Sequence, residues 1–424
     1  MKNNIFSPAN MLIPDGIDMN KWSVVACDQY TSEPEYWEKV SNHVEDAKST
    51  LNIMYPEIYL NEPDFEDRIK NINKNMDTYL SEGFLKENTD SIIYVERTLS
   101  NGHVRKGLMG KVDLECYDYS KGSTSFIRAT EGTVLERIPP RVKIRENASL
   151  EMPHIMLLID DPDKKVIEPL ADKKGDFKAV YYFPLMMNSG SIKGYEIDEG
   201  SKGIIDDILV SMLDKENFNK KYSVDDKEIL LFAVGDGNHS LATAKACYEN
   251  YKKEVGVEKA KNSAKRYALI ELVNLHDDSL EFEPIHRVVF DIDTDDFIKE
   301  LSKMYDIETS DSIESPYSFE IVTKDKKACY SIKNPDMNLT VGCIQKFIDA
   351  YLEGKKGYVD YIHGAGVVSD LSSKDNNLGI ILKGMVKSDL FKTVILDGAL
   401  PRKTFSMGEA EDKRFYLETR KIAE

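Results

Sequence analysis

Leu231-Phe-Ala-Val-Gly-Asp-Gly-Asn-His-Ser240, continuing as Leu-Ala-Thr-Ala-Lys-Ala-Cys247, is the stretch from which the fold is read. Ile229 to Val234 is an unbroken apolar run, the pattern of a strand buried on both faces. Gly235-Asp-Gly-Asn238 then supplies residues that tolerate positive φ and turn the chain sharply. From His239 the period changes: Leu241, Ala244, Tyr248, Tyr251 and Val255 recur at helical spacing. Strand, polar turn and helix together make an anion site. The first helical turn presents free N–H groups, and the helix dipole favours negative charge there. Asp236 and His239 would add acid–base capacity, with Gly237, Asn238 and Ser240 lining the turn. An ordinary Asp-Gly turn capped by Asn238 accounts for the same residues.

Upstream, Phe126-Ile-Arg-Ala-Thr-Glu-Gly-Thr-Val134 and Arg137-Ile-Pro-Pro-Arg-Val-Lys-Ile-Arg145 are dense in chemistry. Arg128, Arg137, Arg141, Lys143 and Arg145 gather in an otherwise acidic chain. The alternation of Arg141, Lys143 and Arg145 predicts an extended strand with all three cations on one face, with Gly132 and Pro139-Pro140 holding the segment in a loop. Converging cations suit phosphate or carboxylate, and Thr133 adds a hydroxyl. A solvated face paired with local glutamates is the alternative.

Around these segments the pattern predicts alternating strands and helices, hence a mixed α/β (α+β) architecture. Strands are expected at Trp22–Cys27, Ile92–Arg97, Val104–Cys116, Ile155–Ile159, Ala179–Pro184, Tyr267–Leu275 and Glu283–Phe290. Helices are expected from Pro34, over 64–85, and around Ile204–Met212. Asp160-Asp-Pro-Asp163 reads as a turn with some capacity for a divalent ion. His286 and Arg287 sit within an apolar strand, where burial demands partners: a polar site or a structural pair. Arg402, Lys403, Thr404 and Ser406 combine cations with hydroxyls as phosphate sites do, and an exposed loop would look the same. The change of texture after Phe290 sets domain expectations of 1–119, a core at 120–290, and a C-terminal α/β region at 291–424.

Composition bounds the function. Across 424 residues, 56 Lys plus Arg stand against 74 Asp plus Glu, a net charge of −18. That balance opposes nucleic-acid and anionic-membrane binding, which need basic surface. The five cysteines lack C-x-x-C spacing and read as free thiols of a cytoplasmic protein. No apolar run approaches membrane length. The histidines lack metal spacing, so no resident metal site is assigned. Walker-type, Rossmann, zincin and G-x-S-x-G signatures are missing. The oligomeric state stays open, a homodimer included.

Several short blocks together resemble the prokaryotic family called domain of unknown function 1015. They are Ala26-Cys-Asp-Gln-Tyr-Thr-Ser-Glu33, Gly235-Asp-Gly-Asn-His239, Pro284-Ile-His-Arg287 and Pro401-Arg-Lys-Thr-Phe405. The family's central D-G-H-H-R is Asp236-Gly-Asn-His-Ser240 here, so Ser240 stands where an arginine is usual, and a compensating arginine elsewhere in the chain is expected. The D-G-x-H pattern also resembles the ParB/sulfiredoxin-like superfamily. Its free-serine kinases carry D-G-H-H-R after an acidic P-H-E segment, where this chain has Ala129-Thr-Glu131. The resemblance implies a ParB-like core with N- and C-terminal elaborations and phosphoryl transfer to a small hydroxylated metabolite, free L-serine foremost. It implies ATP, ADP or pyrophosphate as donor, with Mg2+. Glu131, Asp236 and His239 would be catalytic. Arg128, Thr133, Arg141, Arg145, Gly237, Asn238, Ser240, His286, Arg287, Arg402 and Lys403 would bind phosphate or substrate. A regulator that binds nucleotide or metabolite without turnover is the alternative.

Overall fold

The computed structural model describes residues 4–120 and 122–423. Its class is the mixed α/β one expected. The chain forms two compact units, Met1–Leu280 with Glu409–Glu424, and Glu281–Gly408.

The apolar runs of the first unit assemble, among the described residues, into a ten-stranded mixed sheet. Its order is Lys178–Pro184, Ser191–Glu196, Ile93–Thr98, Val104–Asp113, Tyr267–Asn274, Met156–Ile159, Phe232–Asp236, Ile127–Ala129 and Tyr117–Asp118, with Phe6–Ser7 also on Val104–Asp113. Period-two alternation divides the side chains between two layers. Tyr94, Leu108, Leu157, Ile270 and Leu272 pack on one face, which also buries Leu241, Ala244 and Tyr248 of the motif helix. Ile93, Val95, Met109 and Leu269 face the other layer with Val24, Val25, Trp37, Phe415 and Leu417. Cover on both faces explains why Leu231–Val234 reads as continuous apolar sequence.

This sheet replaces the expected boundary at 119/120. Ile93–Thr98 and Val104–Asp113 hydrogen-bond into one ladder with Tyr267–Asn274, so the N-terminal region and the core cannot be separate layers. The boundary expected at 291 falls instead at 280/281, because Phe282–Phe290 pairs with Tyr358–His363 and Leu378–Leu382. The chain's end returns to the first unit. Val25 bridges Phe415, Leu12 bridges Thr419, and Arg420–Lys421 pairs with Leu150–Glu151.

Two local expectations are corrected. Trp22–Cys27 is no strand: Met19–Trp22 is a helical turn capped by Asp18, and Val25 makes a single bridge. Ile138–Arg145, expected extended, is an α-helix with proline in its first turn. There the missing N–H costs nothing and the fixed φ favours helix. Helical spacing therefore separates Lys143, which pairs with exposed Glu66, from Arg141 and Arg145.

The second unit is an antiparallel sheet, among the described residues seven-stranded, ordered Ile307–Thr309, Lys327–Ile332, Ser318–Val322, Leu378–Leu382, Phe282–Phe290 and Tyr358–His363, with Phe405–Met407 also on Phe282–Phe290. Helices Thr294–Met304 and Thr340–Leu352 cover one face through Phe297, Leu301, Ile344, Phe347 and Ile348.

Candidate functional site

Phe232–Asp236 runs parallel to Ile127–Ala129 and antiparallel to Met156–Ile159. That polarity brings three segments to one edge of the sheet: the loop after Ala129, the turn after Asp236, and Pro153-His154-Ile155, which leads into the third strand. In open α/β sheets the carboxyl edge of the strands is where ligands sit.

The turn itself follows from Gly237. Its φ is +76°, and a Cβ there would lie 2.9 Å from the Ile155 Cα, so both conformation and space require glycine. Helix Asn238–Val255 begins directly after it, and its N-cap residue, Gly237, supplies no side-chain cap. The orphan N–H groups of Asn238, His239 and Ser240 therefore accompany the positive end of an 18-residue helix. Two buried side-chain atoms of the same turn, Asn238 Oδ1 and His239 Nε2, have no hydrogen-bond partner among the described residues, nor has Thr133 Oγ1.

Asp236 Oδ1 accepts from the Gly237 N–H at 2.8 Å, and Lys413 Nζ lies 3.4 Å from Oδ2. Burial alone would raise this carboxyl, but Lys413, His154 and the Gly237 N–H outweigh it and hold it below the ordinary carboxylate value. His239 is shifted down as well, which for a base means loss of charge. Burial first, then the positive charge of Arg141 and Arg137, push it down to about 4, with Asp28 opposing. It is a neutral imidazole at physiological pH.

His154 is the residue that sequence reasoning missed. It is buried, with Nε2 3.1 Å from Ser240 Oγ and 3.7 Å from Asp28 Oδ2, while Nδ1 lies 2.8 Å from the Tyr416 hydroxyl. The Cys27 N–H donates to that hydroxyl at 3.3 Å. This is not a nucleophilic triad, because Asp28 shares Nε2 with the serine and a phenol occupies Nδ1. Burial, then Asp28 and Glu57, raise the Cys27 thiol far above the thiolate range, so Cys27 is no nucleophile either. The sequence offered one signal for this cluster: Cys27 and Asp28 lie within the Ala26–Glu33 block. Tyr416 and Lys413 gave none, since they arrive from the returning C-terminal segment.

The candidate cations divide. Arg141 reaches the site, its Nε 2.8 Å from Glu57 Oε1, while the Glu57 N–H donates to the Cys27 carbonyl. Arg145 pairs with Glu151, which also accepts from Arg420. Arg128 turns away. Its guanidinium donates to the carbonyls of Ser125, Glu228 and Ile229 at the opposite end of the strands, because a buried fork of donors needs acceptors. Burial lowers it, against Glu228. Contrary to the expectation that it binds phosphate, its guanidinium is committed to these carbonyls. Glu131 follows Thr130, whose hydroxyl donates to the Val234 carbonyl at 2.6 Å, which fixes the Glu131 loop beside the motif turn.

His286, Arg287, Arg402 and Lys403 belong to the second unit. His286 Nδ1 accepts from the Leu382 N–H, and burial with the nearby Arg287 and His363 lowers its pKa. Arg287 is fully buried, donating to the Ile285 and Arg402 carbonyls and to Gln345. Its strand position is explained by that structural network. Arg402 pairs with Asp349, and Lys403 is exposed with φ 55°.

A cavity of about 140 Å³ adjoins the motif, its wall shared by Ser240, His154, Tyr416, Cys27 and Arg141 with a larger number of apolar residues. Asp160 of the Asp-Pro turn is engaged by Tyr222, His276 and Lys221. Among the described residues no group of three His, Cys, Asp or Glu side chains could hold a metal ion. No helix among them is long and apolar enough to cross a membrane.

The motif, its turn and the Cys27–Asp28 loop all lie within one family model that matches residues 13–351. The chain belongs to the family described as Protein of unknown function (DUF1015). The DUF1015 match ends before Lys413 and Tyr416, although both touch the site. No curated protein matches the sequence. Among solved structures, a free serine kinase in complex with AMP is 10% identical with a TM-score of 0.39, covering 74% of this chain and 91% of that one. A conserved hypothetical protein from Pyrococcus furiosus is 10% identical with a TM-score of 0.36, covering 72% and 93%. SbnI with a C-terminal truncation, from Staphylococcus aureus, is 10% identical with a TM-score of 0.35, covering 74% and 81%. Likenesses this distant decide neither ligand nor reaction.

Proposed function

We propose that this DUF1015 protein is a phosphotransferase that binds a phosphorylated donor at the N-terminus of the Asn238–Val255 helix and acts on a small hydroxylated metabolite. The observation that carries the reading is the uncapped helix N-terminus at Gly237, with the unpartnered His239 Nε2 beside it. Backbone N–H groups, the helix dipole and a neutral imidazole donor suit a phosphate. The acceptor's hydroxyl oxygen forms the new bond to phosphorus while the donor's bridging P–O bond breaks. Glu131 takes the hydroxyl proton, and the departing phosphate carries the negative charge. Charge neutralisation on the donor would come from Mg2+, which needs only one or two protein carboxylates rather than a cage of its own. Asp236 would hold it, in place of Lys413. That lysine, not an arginine at position 240, is the cation beside the motif aspartate.

A second reading, binding without turnover, is favoured by one feature: Arg141 and Arg145 already have carboxylate partners. One experiment separates the two. The protein is incubated with L-serine, the acceptor suggested by the sequence resemblance, and ATP, ADP or pyrophosphate with magnesium, and followed by phosphorus NMR. A new phosphomonoester signal supports transfer. Donor binding without any new phosphorus species, across serine and other hydroxylated acceptors, supports the binder.

A further inference from the structure

We infer that the cavity beside the motif takes a neutral hydroxylated compound with an aliphatic portion, bound with its hydroxyl toward Ser240 and His154. Calling that compound the acceptor rests on the phosphotransferase reading; the binding itself does not. Ser240 and Thr243 of the motif helix, His154 and Tyr416 are polar residues of its wall, and His154 joins Ser240 and Tyr416 through hydrogen bonds. The remaining wall includes Met54, Met76, Leu150, Met152 and Leu269, of which Met54, Met76, Leu150 and Leu269 are buried. A mostly apolar wall with a few convergent polar groups is the usual construction of a small-molecule site.

Charge pairing decides the ligand class. The charged side chains on the wall are matched to one another, Arg141 to Glu57 and Arg145 to Glu151. A zwitterionic amino acid such as serine would bring an ammonium and a carboxylate against apolar wall without an unmatched counter-charge, a costly desolvation. A neutral alcohol places one hydroxyl among hydroxyl, imidazole and phenol, and its carbon chain against methionine and leucine. Three methionines around the chamber suit a variable aliphatic shape, since their side chains adapt.

The test uses the full chain labelled with ¹³C at the methionine methyls, titrated with straight-chain primary alcohols of increasing length and with L-serine. The expected result is saturable shifts at Met54, Met76 and Met152. Affinity should rise about fourfold per added CH₂, the equivalent of about 0.8 kcal/mol, until the chamber is filled, and serine should leave these methyls unmoved. Met76→Ala should move the best chain length upward, and Ile144→Trp, at another residue of the cavity wall, should weaken the best alcohol at least tenfold. Affinity independent of chain length, or serine shifting the three methyls as strongly as the best alcohol, overturns the inference. A phosphorus NMR assay with ATP, ADP or pyrophosphate separates the two claims. Alcohols that bind with chain-length dependence but are never phosphorylated leave the cavity assignment standing and remove the phosphotransferase reading. Serine phosphorylated with the alcohols failing to bind does the reverse.

Discussion

At the scale of the residue, the site is a set of polar groups whose protonation states are fixed by burial and neighbouring charge. Glu131 is the proposed base, on a loop tied to the motif strand by the Thr130 hydroxyl. Glu131→Gln keeps size and most hydrogen bonds while removing the base. Turnover should fall by roughly a hundredfold or more with donor binding nearly unchanged, measured by steady-state phosphoryl transfer beside donor titration. Turnover within a few-fold of wild type would move the role to Asp236. His239 makes a second expectation, about pH. Its imidazole is pushed from 6.5 down to about 4 in the folded protein, so between those values the unfolded chain binds the extra proton. Its contribution to stability is intact above 6.5 and is lost as pH falls toward 4. His239→Gln should flatten that part of a Tm-against-pH profile. An unchanged slope would show that His239 titrates normally.

At the scale of the element, a single glycine sets the geometry between strand and helix. Gly237→Ala forces a side chain into the left-handed region and to within 2.9 Å of the Ile155 backbone. The expected cost is about 1–3 kcal/mol from the conformation, with the contact added to it, read from the urea midpoint. The same variant should lose the pyrophosphate-induced shifts of the amides at Asn238–Leu241 that wild type is expected to show. If those shifts appear elsewhere in wild type, the helix N-terminus is not the phosphate site. Tyr416→Phe probes the neighbouring element, because it strips the hydroxyl from both the Cys27 N–H and His154 Nδ1. Buried groups left unpaired cost about 1–3 kcal/mol, so a stability loss of that order is expected.

At the scale of the whole molecule, the chain's last segment is structural mortar for the first unit. Arg414 is buried between Glu271 and Glu418, and Arg420 bonds Glu151. Phe415 and Leu417 are core residues. Truncation after Gly408 would leave Glu271 buried without a cation and take Arg420 from Glu151. Breaking such buried pairs costs about 3–5 kcal/mol each, a large part of a typical domain's total stability. The truncated chain is expected to lose cooperative unfolding of the first unit by circular dichroism, whereas residues 281–408 expressed alone should unfold as one cooperative body around their own core. A truncated protein with wild-type stability would show that the segment is a passive strap.

Periodicity in the sequence determined the elements closest to the motif. Ile229–Val234 reads as a strand covered on both faces, observed as Phe232–Asp236, and Leu241, Ala244 and Tyr248 read as the buried face of a helix, observed as Asn238–Val255, because apolar spacing is local information. Turn chemistry did the same for Gly237, whose need for positive φ is visible in Asp-Gly-Asn. Local pattern misled at Ile138–Arg145, where alternating cations suggested a strand and the two prolines in fact began a helix. Long-range contacts were invisible: nothing near Arg128 says that its guanidinium will meet carbonyls about a hundred residues away. Nor does anything near Asp236 name Lys413, or anything near His154 name Tyr416. These partners depend on where the chain returns, and that was decided by the burial of Phe415 and Leu417 in the tertiary core, not by any motif.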